Sequence, residues 1–376
     1  MTTQTHPLQV VFLCGARDFH AMDWYRASLG MLSSPKPIIL TDLIEGEGFR
    51  KLITNEDTVH KLLILDSFLL KKQSRLGNVW RNLLKAILFP AQVILIYRFN
   101  KKFNNTLYYA HSMYYIWLGW AAGVRFIGTP QGSDILLKPQ KSQIFKILST
   151  ISMKSSIYIT VDSKKMADIT ENLTGKRPLI IQNGIDINTI NNCNHFQAEN
   201  SSKRNLICSF RGLTPLYRIE EIVKSRNKSL FNNDMPLTLL YPFHEDEYIS
   251  RIDEHLNKDD KKLGRLEKKE MYSIFFSTLL AISIPISDSS PRSVYEAIFC
   301  GSIVAITWHP FFDDLPKCMQ ERIVIVNIED EYWFDKTIEA AKQLIVNPFI
   351  PTEDALKIFD QSQAFNKIHN MAIRAI

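Results

Sequence analysis

Short apolar runs alternate with helical patterns along most of this 376-residue chain. The runs have the length of strands that are buried on both faces, and amphipathic segments such as 163–174 lie between them. This alternation is typical of parallel sheets covered by helices, because parallel strands need a crossover connection. The strands predicted in the first series are 8–15, 37–42, 62–67, 107–111, 125–130, 156–162 and 178–184.

The alternation stops once, and this interruption predicts a domain boundary. The polar stretch 188–205 lacks periodicity and is predicted to be a linker. We therefore predict an α/β protein with two doubly wound domains, 1–187 and 206–350, and a final helical segment, 351–376, that packs back toward the first domain. Ligands of such sheets bind beyond the carboxyl ends of the strands, so a cleft between the domains is the expected site. Strands of the second series are predicted at 206–210, 237–242, 279–285, 302–307 and 322–328.

The net charge of +6 is unevenly distributed. Residues 1–180 contain 23 Lys and Arg against 12 Asp and Glu, whereas the remainder contains 22 against 27. A surface of one sign attracts anionic partners, either phospholipid head groups or nucleic acid. The chain has no nucleic-acid-binding motif, so a membrane surface is predicted and nucleic acid is not. Residues 67–133 contain no acidic residue but nine basic ones, Lys71, Lys72, Arg75, Arg81, Lys85, Arg98, Lys101, Lys102 and Arg125.

The segment "NVWRNLLKAILFPAQVILIYRFNKKFNN" is the predicted membrane contact. Its apolar residues recur at helical spacing, and Pro90 is expected to kink or end the helix. The longest uncharged run, 86–97, is too short to span a bilayer core of roughly 30 Å. It has the character of a helix lying in the membrane interface, and an ordinary helix with a solvated basic rim is the alternative.

The five cysteines are scattered and form no C-x-x-C pair, which favours a reducing compartment over a disulfide framework or a zinc site. The first residues lack the basic-then-apolar order of a secretory signal. The sequence therefore predicts a cytoplasmic protein, bound peripherally to the inner face of the cytoplasmic membrane.

The stretch "IPISDSSPRSVYEAIFCGSIVAIT" contains the strongest candidate site. Pro291 suits the first position of a helix, so the loop before it presents backbone N–H groups and a helix N-terminus to an anion. Glu296 can accept hydrogen bonds from a ribose diol one turn further on, and Asp288 can reach hydroxyl groups beyond the phosphates. A capped surface helix is the alternative. The predicted donor-binding residues of this loop are Ser289, Ser290, Arg292, which adds a cation, and Ser293.

This stretch resembles the donor-site signature of retaining GT-B glycosyltransferases of the family 4 type. Their pattern is an acidic residue, seven residues, then Glu-Ala and a Gly before a buried strand, and Asp288 stands where the family usually has Glu. "PLIIQNGIDINTI" resembles the end of the family's first domain, and "ICSFRGLTPLYRIEEIV" resembles the start of its second. The resemblance implies two Rossmann-like domains facing a central cleft. It also implies that Arg211 and Arg218 replace the family's Arg and Lys on the donor diphosphate, a role that suits the planar guanidinium.

Two further segments of the first domain take part in the resemblance. In "VRFIGTPQGSDILL", Gln131 occupies the position of a family histidine that contacts the donor sugar, where it can form hydrogen bonds but cannot become cationic. "VFLCGARDFHAMDWYR" resembles the first strand and its loop, so that Gly15 carries over to the donor side. Four residues are candidates for the acceptor side: His20, Asp23, Arg26 and His111. For His20 a loop cap is the favoured alternative, and His111 equally suits a structural role.

The resemblance implies retaining transfer of a hexosyl or N-acetylhexosaminyl group from a nucleotide sugar to a glycan acceptor, with no bound metal and no cofactor. Arg211, Arg218 and the loop amides would stabilise charge on the leaving diphosphate, while Asp288 and Gln131 orient the sugar. The basic, aromatic first domain suggests a polyprenyl-diphosphate-linked acceptor in surface polysaccharide biosynthesis. The alternatives are another GT-B enzyme, such as a nucleotide-sugar 2-epimerase or an inverting transferase, and a non-catalytic GT-B scaffold that binds nucleotide sugars.

Overall fold

The chain forms two compact units in a computed structural model. Unit 1 comprises Met1–Asn183 and Gln361–Ile376, and unit 2 comprises Gly184–Asp360. Most of the predicted strand 62–67 lies outside the described residues. The structure describes residues 7–15, 18–32, 34–41, 53–62, 75–103, 105–198, 204–231 and 235–375.

Unit 1 is built on a five-stranded parallel sheet with the order β3-β2-β1-β4-β5. A short parallel pair, β6 and β7, adjoins it through a bridge between Gly128 and Ile159. The strands are β1 (Gln9–Leu13), β2 (Ile38–Thr41), β3 (Thr58–Lys61), β4 (Thr106–His111), β5 (Phe126–Thr129), β6 (Thr160–Val161) and β7 (Leu179–Ile180).

Helices cover both faces of this sheet. Alternate residues of β1 enter two different clusters, since Val11 packs with Tyr108 on one face and Phe12 with Tyr109 on the other. Burial on both faces is the reason why the strands are apolar throughout, as predicted. The helices are α1 (Phe19–Met31), α2 (Arg75–Asn100), α3 (Met113–Ala121), α4 (Gly132–Leu136), α5 (Lys138–Lys141), α6 (Gln143–Lys154) and α7 (Lys164–Thr174).

Unit 2 has a six-stranded parallel sheet with the order β10-β9-β8-β11-β12-β13. Its strands are β8 (Leu206–Ser209), β9 (Leu237–Leu240), β10 (Lys261–Gly264), β11 (Thr278–Ser283), β12 (Ile303–Ile306) and β13 (Ile323–Ile325). Its helices are α8 (Ile187–Ala198), α9 (Ile219–Lys228), α10 (Asp246–Asp253), α11 (Lys268–Ser277), α12 (Arg292–Phe299), α13 (Lys317–Gln320), α14 (Trp333–Leu344) and α15 (Glu353–Phe359).

The last part of the chain is divided between the two units. The predicted helical segment 351–376 consists of two helices, of which α15 belongs to unit 2 and the C-terminal helix (Gln361–Ala375) to unit 1. The C-terminal helix buries Phe365 and Ile368 in the same cluster as Phe12 and Tyr109. The Tyr109 hydroxyl and His369 Nδ1 form a hydrogen bond of 2.9 Å there. This helix is therefore part of the core of unit 1.

The stretch predicted to be a linker is largely helical. Helix α8 covers Ile187–Ala198 and packs against α11 within unit 2. Its apolar stripe is narrow, with Ile187 and Ile190 buried and Cys193 partly buried, while Asn, Thr and His make up much of the remaining sequence. Single apolar residues one turn apart, with polar residues between them, are a weak periodic signal, which is why the sequence pattern missed the helix.

Pro90 was predicted to kink or end the helix, and α2 does not end there but continues to Asn100. Proline removes the N–H that would bond to the carbonyl four residues earlier, at Ala86. Both residues are exposed, so water can satisfy that carbonyl. By length and composition alone, Val79–Asn100 is also long and apolar enough to cross a membrane, and only 11% of its most apolar window is buried within the protein.

Candidate functional site

The strand order reverses at one point in each sheet, between β1 and β4 in unit 1 and between β8 and β11 in unit 2. In doubly wound sheets, ligands bind outside the carboxyl ends of the strands at this switch point. Three predicted residues follow these strands directly or within a short loop. Gly15 follows β1, Arg211 follows β8 and Asp288 follows β11.

Arg211 is held at the switch point of unit 2 by three kinds of contact. Its Nε donates to Ser283 Oγ at 2.7 Å, and its Nη2 donates to Asp288 Oδ2 at 2.5 Å. The guanidinium also lies 5.7 Å from the ring centroid of Phe210 and 5.5 Å from that of Tyr217. No hydrogen bond within the described residues engages Nη1. The contacts of Nε and Nη2 thus fix the direction of the guanidinium, while the N–H groups of Nη1 remain unused within the described residues.

The loop after β11 leads from Asp288 to the start of α12. Asp288 Oδ1 accepts a hydrogen bond from the backbone N–H of Ser289 at 2.9 Å, and the Ser290 hydroxyl lies 3.2 Å from that of Tyr295. Pro291 is the N-cap, one residue before the predicted position, and α12 begins at Arg292. In this part of the described chain, the N–H of Ser293 has no acceptor, so the helix N-terminus retains its capacity for an anion.

Glu296 is buried on α12, with 5% of its surface exposed. Its Oε1 accepts a hydrogen bond from the Tyr272 hydroxyl at 3.0 Å and lies 3.5 Å from Arg292 Nε. Burial, and then the charge of Glu296, raise the pKa of Tyr272 well above its usual value. Arg292 was predicted to be a cation for the phosphate; its side chain lies beside Glu296, and the contact with phosphate stays a prediction. Oε2 of Glu296 makes no hydrogen bond within the described residues.

Arg218 caps the N-terminus of α9 in a left-handed conformation, with φ 52° and ψ 37°. This region is strained for residues other than glycine, and such strain is concentrated at functional sites. The preceding loop is tied to the loop after β11, because Ile286 N–H donates to the Leu216 carbonyl at 2.8 Å. The loops that carry Arg218 and Asp288 are therefore joined.

His309 belongs to the same charged cluster and was missed in the sequence. Its Nε2 lies 3.1 Å from the Pro285 carbonyl oxygen. Burial lowers the pKa of His309, the charges of Arg211 and Arg218 act in the same direction, and Asp288 opposes them. Its position three residues beyond β12, another strand that ends at this edge, was the available signal.

At the switch point of unit 1, Gln131 contacts the loop that follows β1. Its Nε2 donates to Asp18 Oδ2 at 3.1 Å, and Asp18 Oδ1 caps α1 by accepting from the N–H groups of His20 and Ala21. A side chain at Gly15 would bring its Cβ within 2.9 Å of the Tyr115 hydroxyl, which accounts for glycine there. Asp18 was not predicted, although an Asp just before a helix is a typical N-cap.

The other candidates of unit 1 are more dispersed. Arg26 forms a two-pronged ion pair with Asp57, at 3.0 and 2.7 Å, so it has a structural partner. Asp23 is buried on α1. His111 ends β4 and is 1% exposed, and burial lowers its pKa to about 4. Its Nε2 has no hydrogen-bond partner in the described chain.

Among the described residues, no three His, Cys, Asp or Glu side chains come together as a metal-binding group.

No protein-family model matches the sequence, and no curated protein matches it either. Solved structures are similar over nearly the whole chain. HepE from Anabaena, in complex with UDP and glucose, has a TM-score of 0.72 at 12% identity and covers 98% of this chain and 100% of its own. Sucrose-phosphate synthase from Thermosynechococcus elongatus has a TM-score of 0.71 at 11% identity, with 98% and 99% covered. A glycosyltransferase from Rickettsia africae has a TM-score of 0.64 at 11% identity, with 99% of each chain covered. The chain has the fold of the GT-B glycosyltransferases.

Proposed function

We propose that the protein is a glycosyltransferase that moves a sugar from a nucleotide-sugar donor to a glycan acceptor. The observation that carries this proposal is the meeting of Arg211 and Asp288 beside the N-terminus of α12, at the switch point of unit 2. The similar structure of HepE was determined with UDP and with UDP-glucose, which supports a nucleotide sugar as the substrate here.

The donor diphosphate is expected to bind where three groups retain hydrogen-bond donors or charge. These groups are Arg211 Nη1, the N–H of Ser293 and the partly exposed side chain of Arg218. Positive charge and oriented N–H groups stabilise the charge that develops on the leaving diphosphate, and such stabilisation is often the largest part of catalysis. Asp288 keeps the guanidinium of Arg211 in place, and Glu296 Oε2 is available for a ribose hydroxyl.

Several finer features belong to the same proposal. We propose transfer with retention, by same-face attack in which the leaving phosphate takes the proton of the acceptor hydroxyl. We also propose a hexosyl or N-acetylhexosaminyl group, with no metal and no cofactor. The role of Gln131 in orienting the sugar stays a prediction. Its side-chain amide donates a hydrogen bond to Asp18 in unit 1.

The proposed acceptor is a lipid-linked glycan of surface polysaccharide biosynthesis. The support is the excess of Lys and Arg in residues 1–180 and the exposed apolar residues of α2, including Val79, Leu83 and Ile87. The same features support a peripheral position on the cytoplasmic face of the membrane, and the pattern of cysteines supports the reducing compartment.

A panel of UDP, GDP and dTDP sugars tests the proposal by thermal shift and by release of nucleotide. At least one donor should raise the melting temperature and release nucleotide. The Arg211→Gln variant should bind that donor about 10- to 100-fold more weakly, because a charge-assisted hydrogen bond contributes roughly 1.5–3 kcal/mol.

The matched control is Arg177→Gln in unit 1, because Arg177 is half-exposed and pairs with Asp168 and Glu171, which have no part in this cluster. It should bind the donor like the wild type. A protein that binds a nucleotide sugar but releases no nucleotide from any donor is the non-catalytic alternative. If no nucleotide sugar binds at all, the proposal is wrong.

A further inference from the structure

Unit 1 contains a pocket of about 840 Å³ whose lining, apart from Gln131, has no part in the proposed donor chemistry. Its walls come from α2, α3 and α6, and it extends to Ser112 and Gln131 at the carboxyl edge of the sheet. The volume is in the range of small-molecule sites. The lining includes five aromatic side chains, and these are Phe89, Tyr114, Trp117, Trp120 and Phe145.

Cationic groups lie among these rings. Lys85 Nζ is 4.2 Å from the ring centroid of Tyr114, and Lys138 Nζ is 5.5 Å from that of Phe145. Arg81 also lines the pocket. One carboxylate is present, that of Asp134, which pairs with Lys138 at 2.7 Å and is 3% exposed. A pocket with apolar walls and several cations suits a molecule that joins an anionic group to a hydrocarbon chain.

Two of the helices that wall the pocket, α2 and α6, also expose apolar side chains to solvent. On α2, Leu83 and Ile87 are 50% and 63% exposed, and on α6, Ile144 and Ile147 are 73% and 57% exposed. We call these four residues the apolar face. Each of them is adjacent in sequence to a residue that lines the pocket, and exposed apolar residues beside a pocket mark an interaction surface.

The charges around the apolar face identify its partner. Within residues 67–161, Asp134 is the one acidic residue, and it is buried. The exposed charges that α5 and α6 contribute are therefore positive, including Lys141, Lys146 and Lys154. Apolar residues flanked by lysines are typical of helices that lie in the interface of an anionic bilayer.

We propose that this pocket binds the phosphate-bearing head and the first chain carbons of a long-chain lipid phosphate, which it receives from an anionic bilayer contacted by the apolar face. The rings of Trp117 and Phe145 would contact the chain, and Arg81, Lys85 and Lys138 would attract the phosphate. The hydroxyl that accepts the sugar belongs to the glycan carried on that phosphate, and it would lie toward Gln131. The proposal rests on the proposed function only where it names this lipid as the acceptor.

The bilayer contact is tested with the full chain and phosphatidylcholine vesicles, with and without phosphatidylglycerol. Phosphatidylglycerol should increase co-sedimentation, and salt should reverse the increase. The double variant Ile144→Asp and Ile147→Asp should bind these vesicles at least about tenfold more weakly, because it loses apolar contacts and adds negative charge. The matched control is Val346→Asp with Ile350→Asp, two similarly exposed apolar residues of unit 2, and it should bind like the wild type.

The pocket is tested with a polyprenyl phosphate that carries a photoreactive group on its chain, incorporated in phosphatidylcholine vesicles. Peptides from 81–148 should be labelled. Leu148→Trp, which adds volume at the pocket wall, should reduce this labelling about tenfold and leave the binding to phosphatidylglycerol vesicles intact. Leu356→Trp, a partly exposed position of α15, is the control for the added ring and should be labelled normally.

Three outcomes would overturn the inference. They are labelling confined to other peptides, binding that is the same with and without anionic lipid, and complete displacement of the lipid phosphate by free diphosphate, which would indicate a site for soluble anions. Release of nucleotide from a donor tests the proposed function separately. A protein that takes up the lipid but cleaves no donor leaves this inference standing and removes the proposed function. A protein that transfers sugar to soluble acceptors but is not labelled by the lipid leaves the proposed function standing and removes this inference.

Discussion

His111 ends β4 with its ring against the edge of Trp24, at 5.2 Å between ring centroids, and almost none of its surface reaches solvent. Burial lowers its pKa from 6.5 to about 4, while the charge of Asp18 opposes this shift and that of His20 adds to it. At neutral pH the imidazole is therefore uncharged in the folded protein. Its buried Nε2 has no hydrogen-bond partner in the described chain.

This low pKa predicts a loss of stability in acid. Between pH 6.5 and about 4, the unfolded chain binds a proton at His111 that the folded chain does not, so the free energy of unfolding falls as the pH falls. The full loss is roughly 3 kcal/mol, at about 1.4 kcal/mol per pKa unit. We expect the melting temperature of His111→Gln to decrease less than that of the wild type between about pH 7 and about pH 5.

The control for this experiment is His244→Gln, because His244 is exposed in unit 2. That variant should follow the pH profile of the wild type. Parallel profiles for the wild type and His111→Gln would show that the His111 pKa is not depressed.

The sequence could predict those residues of the site whose location follows from their position just after a strand. Arg211 and Asp288 follow strands of a parallel sheet, so the topology brings them to one edge, and the structure joins them at 2.5 Å. Asp18 and His309 were missed because their importance comes from contacts with residues far along the chain. The ion pair of Arg26 with Asp57 could not be foreseen for the same reason.

At the scale of elements, the junction between β4 and α3 is strained. Ser112 has φ 68° and ψ 157°, a combination that glycine adopts far more readily than other residues. Three hydrogen bonds hold the turn: Ser112 N–H donates to the Thr129 carbonyl at 2.9 Å, Met113 N–H to Asp134 Oδ2 at 2.9 Å, and Ile116 N–H to the Ser112 carbonyl at 3.2 Å. The strained residue also lines the pocket of unit 1.

Ser112→Gly should therefore stabilise unit 1. Relief of strain contributes about 1–3 kcal/mol, and the greater freedom of glycine in the unfolded chain offsets roughly 0.5–1 kcal/mol of it. We expect a net gain of about 1 kcal/mol in the free energy of unfolding, measured in urea. Ser112→Ala retains the Cβ and should show no such gain, and equal stability of the two variants would argue against strain at this junction.

The sequence predicted elements well where apolar residues were continuous and poorly where they were not. The central strands β1, β4, β8 and β11 overlap predicted runs. Strand β10 was missed because it is an edge strand whose residues, such as Lys261 and Lys262, are exposed. Helix α8 was missed because its apolar stripe is narrow. The continuation of α2 through Pro90 could not be predicted because it depends on the exposure of the Ala86 carbonyl, which loses its hydrogen bond to a backbone N–H.

At the scale of the whole molecule, the last helix completes the core of the first unit. Phe365 is fully buried and lies 5.4 Å from Tyr109 and 6.0 Å from Phe12 between ring centroids. The helix packs along α1 within unit 1. The first strand and the last helix thus share one core, although the whole of unit 2 lies between them in sequence.

Phe365→Ala should destabilise unit 1 by about 3–5 kcal/mol, the usual cost of removing a buried aromatic side chain. Hydrogen exchange of peptides from β1 and β4 measures the effect in unit 1, and peptides from β8 and β11 serve as an internal reference. The matched control is Ile373→Ala, because Ile373 is 49% exposed on the same helix and should cost less than about 1 kcal/mol. Similar exchange in the two variants would contradict the placement of this helix.

The position of this helix has a consequence for synthesis. A ribosome adding roughly 5–20 residues per second needs on the order of ten to thirty seconds to translate the segment that separates Asn183 from Gln361. Throughout that interval, the nascent first unit lacks the side chains that cover Phe12 and Tyr109, so it emerges early but is completed last. A chain that terminates within unit 2 would therefore lack part of unit 2 and also the last helix of unit 1.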